Sequence, residues 1–176
     1  MRIYRVTEVL QPYNKYGNVP PDVLAKAAAR GTDVHEACNT VAEGIFSYPG
    51  VSIEGYIQSF RIWFDKNVME VIEIEPEWIH EPFGFKGHPD YLLRVIGGKK
   101  AIVDLKTPTI AYKTWAGQLC AYWLLGEKNG HPDIERVGSL RLDPNGGPAK
   151  MKWYEGDRQL YVTGFLNALA ACRTFL

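Results

Sequence analysis

Residues 85–106 read Phe85-Lys86-Gly87-His88-Pro89-Asp90-Tyr91-Leu92-Leu93-Arg94-Val95-Ile96-Gly97-Gly98-Lys99-Lys100-Ala101-Ile102-Val103-Asp104-Leu105-Lys106. Two apolar, β-prone runs flank Gly97-Gly98, which is a hairpin signal. Side chains alternate along a strand, so Asp104 and Lys106 point one way and Leu105 the other. Folding back at the glycines brings Asp90 toward the same end of the sheet as Asp104. Pro89 disfavours a regular central ladder at that point and predicts a strand end or bulge, a common way to aim a functional side chain. Two carboxylates and one lysine at a sheet edge suit a hard divalent cation, with an ammonium to hold a phosphate oxygen or an attacking water. This pattern points to metal-assisted phosphodiester cleavage.

Working outward, the pattern predicts helices before the hairpin and after it. Residues 11–21 carry Pro, Gly and Asn and read as a loop. Asp22 to Arg30 is alanine-rich and helical by propensity. Gly31 is expected to interrupt it, with Thr32 as N-cap of a second helix through Val34, Cys38, Val41 and Ile45. Pro49-Gly50 closes that region, and Ser52 caps a further helix bearing Ile53, Tyr56, Ile57, Phe60 and Phe64. Strands are expected over Val68–Glu75, Glu77–Phe83, Phe85–Ile96, Lys100–Lys106, Arg136–Leu142 and Met151–Tyr154, the last two flanking Pro144-Asn145-Gly146-Gly147. Thr114–Lys128 reads as an apolar helix and Gly156–Leu176 as a closing one, with Leu160, Phe165, Leu166 and Leu169 inward. The sum is an α/β (α+β) chain, with a mixed, mostly antiparallel sheet of about five strands flanked by helices.

Composition bounds the reading. At 176 residues and 46% hydrophobic content, residues 1–176 are expected to form one domain with a substantial core. No apolar run approaches the roughly 18 residues of a spanning helix, and the start lacks a secretory apolar stretch, so a soluble, intracellular (cytoplasmic) protein is expected. Cys38, Cys120 and Cys172 are odd in number and scattered, which fits reduced core thiols. The 20 acids balance the 20 bases, so any basic strip must be local. Its candidates are Lys99, Lys100, Lys106, Lys113, Arg141, Lys150, Lys152 and Arg158.

Two further constellations carry chemistry. Gln118 and Tyr122 are four residues apart and share a helix face, where an amide and a phenol can bond to phosphate or backbone. His35 lies in Gly31-Thr32-Asp33-Val34-His35, on a helix whose inward face should pack on the sheet, and can reach the sheet edge as a neutral ligand.

In the order Gly-Thr-x-x-His, Gly-x-x-Asp, Asp-x-Lys and Gln-x-x-x-Tyr, these residues resemble the PD-(D/E)XK nuclease superfamily, and within it the RecB-like branch that includes phage exonucleases. The resemblance spans roughly residues 7–170, and Val6-Thr7-Glu8-Val9-Leu10 looks like the opening of phage members, which would make the chain phage-encoded. It implies a restriction-endonuclease-like core. It also implies Mg²⁺ or Mn²⁺ held by Asp90, Asp104, His35 and the Leu105 carbonyl, with Asp90, Asp104 and Lys106 catalytic. Lys106 would orient the attacking water and steady phosphate charge; Gln118, Tyr122 and Thr107 would contact the DNA strand. One acid among Glu75, Glu77 and Glu81 would support the site. Three scattered cysteines cannot supply the four that hold an iron–sulfur cluster in some relatives. No Gly-x-x-x-x-Gly-Lys-Ser/Thr loop is present, so unwinding would come from a partner.

The expected activity is therefore a metal-dependent DNA exonuclease acting at ends or on single strands, with a single-strand-binding or recombination protein as a conceivable companion. No separate sequence-reading domain is visible, which favours an exonuclease over an endonuclease. Tyr13, Tyr16, Trp115 and Trp153 are candidates for stacking on bases. The alternatives are a nicking or structure-specific endonuclease, or a catalytically inactive DNA-binding module on the same scaffold.

Overall fold

A five-stranded sheet in the order β2-β5-β6-β7-β8 forms the centre of the computed structural model. The structure describes residues 2–14, 19–45, 50, 52–108 and 110–175. The strands are β2 (Val68–Ile74), β5 (Tyr91–Val95), β6 (Lys100–Lys106), β7 (Arg136–Arg141) and β8 (Lys150–Trp153). All neighbours are antiparallel except β6 and β7. That one parallel pair needs a crossover, and helix α4 (Thr114–Lys128) supplies it. The hairpin at Gly97-Gly98 forms as its sequence predicts, because both glycines adopt positive φ (89° and 77°) at no steric cost.

Alternation along β6 separates two cores. Ile102 faces a cluster with Leu119, Leu125, Val137 and Phe165, built on α4 and the closing helix α5 (Arg158–Phe175). Ala101, Val103 and Leu105 face the other cluster, with Val34 and Cys38 of α2 (Pro21–Ala42) and Phe60 of α3 (Glu54–Asn67). A buried strand of this kind reads as a continuous apolar run, and here it is broken only by Asp104.

Several expectations are corrected. Gly31 does not interrupt a helix: α2 runs unbroken through it, and Thr32 bonds its hydroxyl back to the Ala28 carbonyl at 3.3 Å instead of capping. A mid-helix glycine costs about 1 kcal/mol, which burial of Val34 and Cys38 one and two turns on outweighs. The helix stops at Ala42, leaving Ile45 exposed, and α3 begins without a side-chain cap from Ser52. Pro49 lies outside the described residues. The segment before residue 11 is helical as well (α1, Val6–Leu10), followed by a 3₁₀ turn over Gln11–Tyr13. Leu160 is 68% exposed and not in the core, because α5 turns that position outward.

The run Phe85–Ile96 is not one strand. It splits at Pro89, and its first part, β4 (Phe85–Gly87), joins a second, three-stranded sheet. There β4 pairs in parallel with β1 (Tyr4–Arg5) and antiparallel with β3 (Trp78–His80), which is the short core of the expected Glu77–Phe83 strand. Gly87 lies directly against Tyr122 of α4, and a Cβ there would fall 2.5 Å from the ring. Gly87→Ala is therefore expected to displace that ring and cost about 1–3 kcal/mol, read by thermal or urea denaturation. An unchanged midpoint would show that the ring has room to move.

Candidate metal and nucleic-acid site

Three neighbouring strands carry an acid in one row. The β2–β5 ladder ends at Ile74↔Tyr91, and the β5–β6 ladder begins at Tyr91↔Val103. One residue further along stand Glu75, Asp90 and Asp104. The row is held by the Glu75 N–H donating to the Asp90 carbonyl at 2.9 Å and the Leu105 N–H donating to Asp90 Oδ2 at 2.6 Å. Pro89 ends the regular ladder just before Asp90, which frees the carboxylate to accept that bond.

Helix α2 brings His35 to the same end of the sheet. Its Nδ1 lies 3.1 Å from Asp90 Oδ1. The unbroken helix gives Leu24, Ala27, Ala28, Gly31 and His35 a common stripe, and all five line one cleft. Ligand atoms of His35, Glu75 and Asp90 lie within 4.8 Å of one another. Opposite ligands of an octahedral Mg²⁺ sit about 4.1 Å apart at the usual ~2.05 Å bond, so small side-chain adjustments let all three touch one ion. Of the three acids left open by the sequence, Glu75 alone joins this group. Glu77 is bonded to Lys86 at 2.7 Å, which holds its carboxyl below the usual range, and Glu81 sits exposed in a turn.

Asp104 stands just outside that trio. It is 3% exposed, and the Lys106 ammonium lies against its Oδ2 as an ion pair with no aligned hydrogen bond. Burial pushes its carboxyl up to about 6, against the opposing pull of Lys106 and with a further push from Asp90. For His35, burial opposes the charged ring, but the Asp90 and Asp104 carboxylates outweigh it and the net shift is upward. Mixed imidazole and carboxylate donors within 4.8 Å of one another fit a hard or borderline divalent ion such as Mg²⁺ or Mn²⁺.

Lys106 continues into a relay. Its ammonium donates to Gln118 Oε1 at 3.0 Å, and Gln118 Nε2 donates to the Tyr122 hydroxyl at 3.0 Å. Its ammonium also lies 5.4 Å from the Trp115 ring centre. The relay fixes the lysine beside the carboxylates, and Tyr122 also lines a smaller cleft of about 400 Å³ with Glu75, His88 and Asp90. Thr107 is buried at the wall of the larger cleft, and the Leu105 N–H is committed to Asp90.

That larger cleft measures about 1090 Å³. Its cations are Arg5, Arg30 and Lys106, and its aromatic side chains are Tyr112 and Trp115. The expected basic strip is mostly elsewhere: Lys100 pairs with Asp133 at 2.6 Å, and Arg158 covers Trp123. Trp153 packs against Arg136 away from the cleft, Tyr13 is exposed outside its walls, and Tyr16 lies outside the described residues. Arg5 and Thr7 line both clefts, so β1 and α1 form the partition at the carboxylate row. Sequence reasoning missed Arg5 and Arg30. The spacing Leu24-Ala27-Gly31-His35 was the available signal for Arg30's side of the cleft; nothing local marked Arg5.

Comparison with solved structures places this architecture. SSO0001 superposes with a TM-score of 0.53 at 14% identity, covering 100% of this chain and 77% of its own. A protein from Eubacterium rectale, provisionally named an exonuclease, gives 0.51 at 12% identity, covering 95% of this chain and 73% of its own. At these identities the likeness is one of fold, and it agrees with a restriction-endonuclease-like core. No protein-family model and no curated protein sequence matches the chain. None of the described helices is long and apolar enough to cross a membrane.

Proposed function

We propose that this chain is a metal-dependent nuclease that hydrolyses phosphodiester bonds of DNA, working from strand ends. The observation that carries the reading is the row Glu75–Asp90–Asp104 with His35 and Lys106 beside it: Glu75 and Asp90 line the smaller cleft, and His35 and Lys106 line the larger one, where cations and aromatic rings gather. The exonuclease name attached to a fold neighbour is in keeping with it. His35, Glu75 and Asp90 would hold Mg²⁺ or Mn²⁺, with Asp104 and the Leu105 carbonyl as the further ligands that the superfamily resemblance implies. The ion would neutralise phosphate charge and lower the pKa of water at the site.

The chain's own groups do the rest. Lys106 exchanges its contact with Asp104 for a non-bridging phosphate oxygen, where charge builds during in-line attack. Gln118 and Tyr122 limit where the ammonium can go, and Tyr122, which also lines the smaller cleft, would contact the strand there. Arg5 and Arg30 suit phosphates, while Tyr112, Trp115 and the apolar side of α2 suit unstacked bases.

A digestion panel tests this. End-labelled linear single strands, blunt duplexes and closed circles are incubated with Mg²⁺, Mn²⁺ or EDTA. Linear DNA is expected to shorten from an end with either ion and to persist in EDTA. Rapid nicking of circles would instead support an endonuclease, and binding without cleavage in any ion would support a DNA-binding module.

A further inference from the structure

Behind Glu75 runs a hydrogen-bonded chain that the proposed mechanism leaves unused. The Tyr91 hydroxyl donates to Asn39 Oδ1 at 2.7 Å, and Asn39 Nδ2 donates to Glu75 Oε1 at 2.8 Å. Three elements meet in it: β5 through Tyr91, α2 through Asn39, and the end of β2 through Glu75. Asn39 lies one turn beyond His35 on α2, so one helix carries a candidate ligand and the group that grips another.

Glu75 is unusual in its backbone. Among the described residues it is the one non-glycine with positive φ, at 46°. Pro76 follows it directly, and a residue before proline is already restricted. Such conformations persist where surrounding contacts over-determine them, and they concentrate at functional sites. The Glu75 N–H bond to the Asp90 carbonyl holds the backbone, and Asn39 holds the carboxylate. A fully buried Tyr91 needs a partner for its hydroxyl, which would explain Asn39's carbonyl arm alone. It does not explain the second arm, which reaches out to an exposed carboxylate that water could solvate.

We propose that Asn39, fixed in turn by Tyr91, is a positioning residue that orients Glu75 as a ligand of the divalent ion shared with His35 and Asp90. With Asn39 Nδ2 on Oε1, Oε2 is clear of that bond and would be available to the ion. The fixed amide in α2 also sets Glu75 and His35 in mutual register. This inference rests on the metal-dependent reading of the site and adds the device that completes its ligand set.

Mn²⁺ titration by calorimetry, on the full chain without DNA, tests it. Asn39→Ala is expected to weaken Mn²⁺ binding about tenfold or more, the usual range for loss of an outer-shell partner. Glu75→Gln should weaken it at least as much, and adding Asn39→Ala to Glu75→Gln should cost little more, since the amide then has no ligand to orient. Tyr91→Phe keeps the ring stacked on Phe60 (centres 5.8 Å apart) and removes only the hydroxyl. It should weaken binding about threefold while lowering the metal-free melting temperature by only a few degrees, the cost of one hydrogen bond, and it carries the test if Asn39→Ala does not fold. Wild-type Mn²⁺ affinity in the Asn39 variant, or in the Tyr91 variant where that stands in for it, overturns the proposal while leaving the nuclease reading intact. So do losses that multiply in the double variant. A wild-type chain that binds no Mn²⁺ overturns both.

Discussion

Asp104→Asn is expected to reduce DNA cleavage by about 10³-fold or more, equivalent to roughly 4 kcal/mol of lost transition-state stabilisation. The substitution keeps the side chain's size in a site with 3% exposure, so the fold should survive. It removes the carboxylate between the candidate ion site and Lys106. The same variant should change how stability depends on pH. In the native chain burial holds the Asp104 carboxyl at about 6, above its ordinary value of 3.8. A group with a raised folded pKa takes up its proton in the native state first. It therefore favours folding below the unfolded pKa, and that contribution is lost as pH rises through the folded one. In EDTA, the contribution of Asp104 to the stability of the wild type should be lost between about pH 4 and 6. The raised pKa of His35 acts in the same direction at higher pH, beginning at its ordinary 6.5. Asp104→Asn should remove the lower part of the slope and reduce the upper part to what Asp90 sustains. Parallel denaturation curves for both proteins from pH 4 to 6 would show that Asp104 does not carry this shift.

Lys106→Met should lower the cleavage rate by about 10² or more, as loss of a charge-stabilising donor does elsewhere, with Mn²⁺ binding near wild type at pH 8. The separation follows from geometry: the lysine touches Asp104 and Gln118, while His35, Glu75 and Asp90 hold one another without it. Removing the ammonium leaves Asp104 buried without its counter-charge, so its carboxyl should rise further and metal binding should weaken toward acid pH. Lys106→Arg restores charge but not shape. A planar guanidinium cannot occupy the position between Asp104 and Gln118 in the same way, and only partial recovery is expected. Single-turnover rates with saturating Mn²⁺ measure the effect. Full activity in Lys106→Met would remove the lysine from the reaction.

Local signals carried much of this architecture. The Gly97-Gly98 hairpin, the alternation along β6 and the helix Thr114–Lys128 follow from short-range rules, and the structure has them at the expected places. Pairing between distant segments does not follow from such rules. The three-stranded sheet joins residues 4–5 to 85–87, and no local feature of either segment announces the partner. Gly31 misleads for a physical reason: its intrinsic cost is real, but the burial of Val34 and Cys38 beyond it exceeds that cost. Glu75 could not be chosen over Glu77 and Glu81 because its place in the acid row depends on a β2–β5 register that contains two irregularities. A shift of one residue there would have turned it to the other face. Asn39 was silent because its role exists only where α2 crosses the ends of β2 and β5.

Diffraction at the manganese absorption edge, from crystals grown with Mn²⁺, tests the central claim most directly. The account predicts an anomalous peak in contact with His35, Glu75 and Asp90, beside Asp104. A well-ordered site with no peak, or manganese bound only elsewhere, would contradict it.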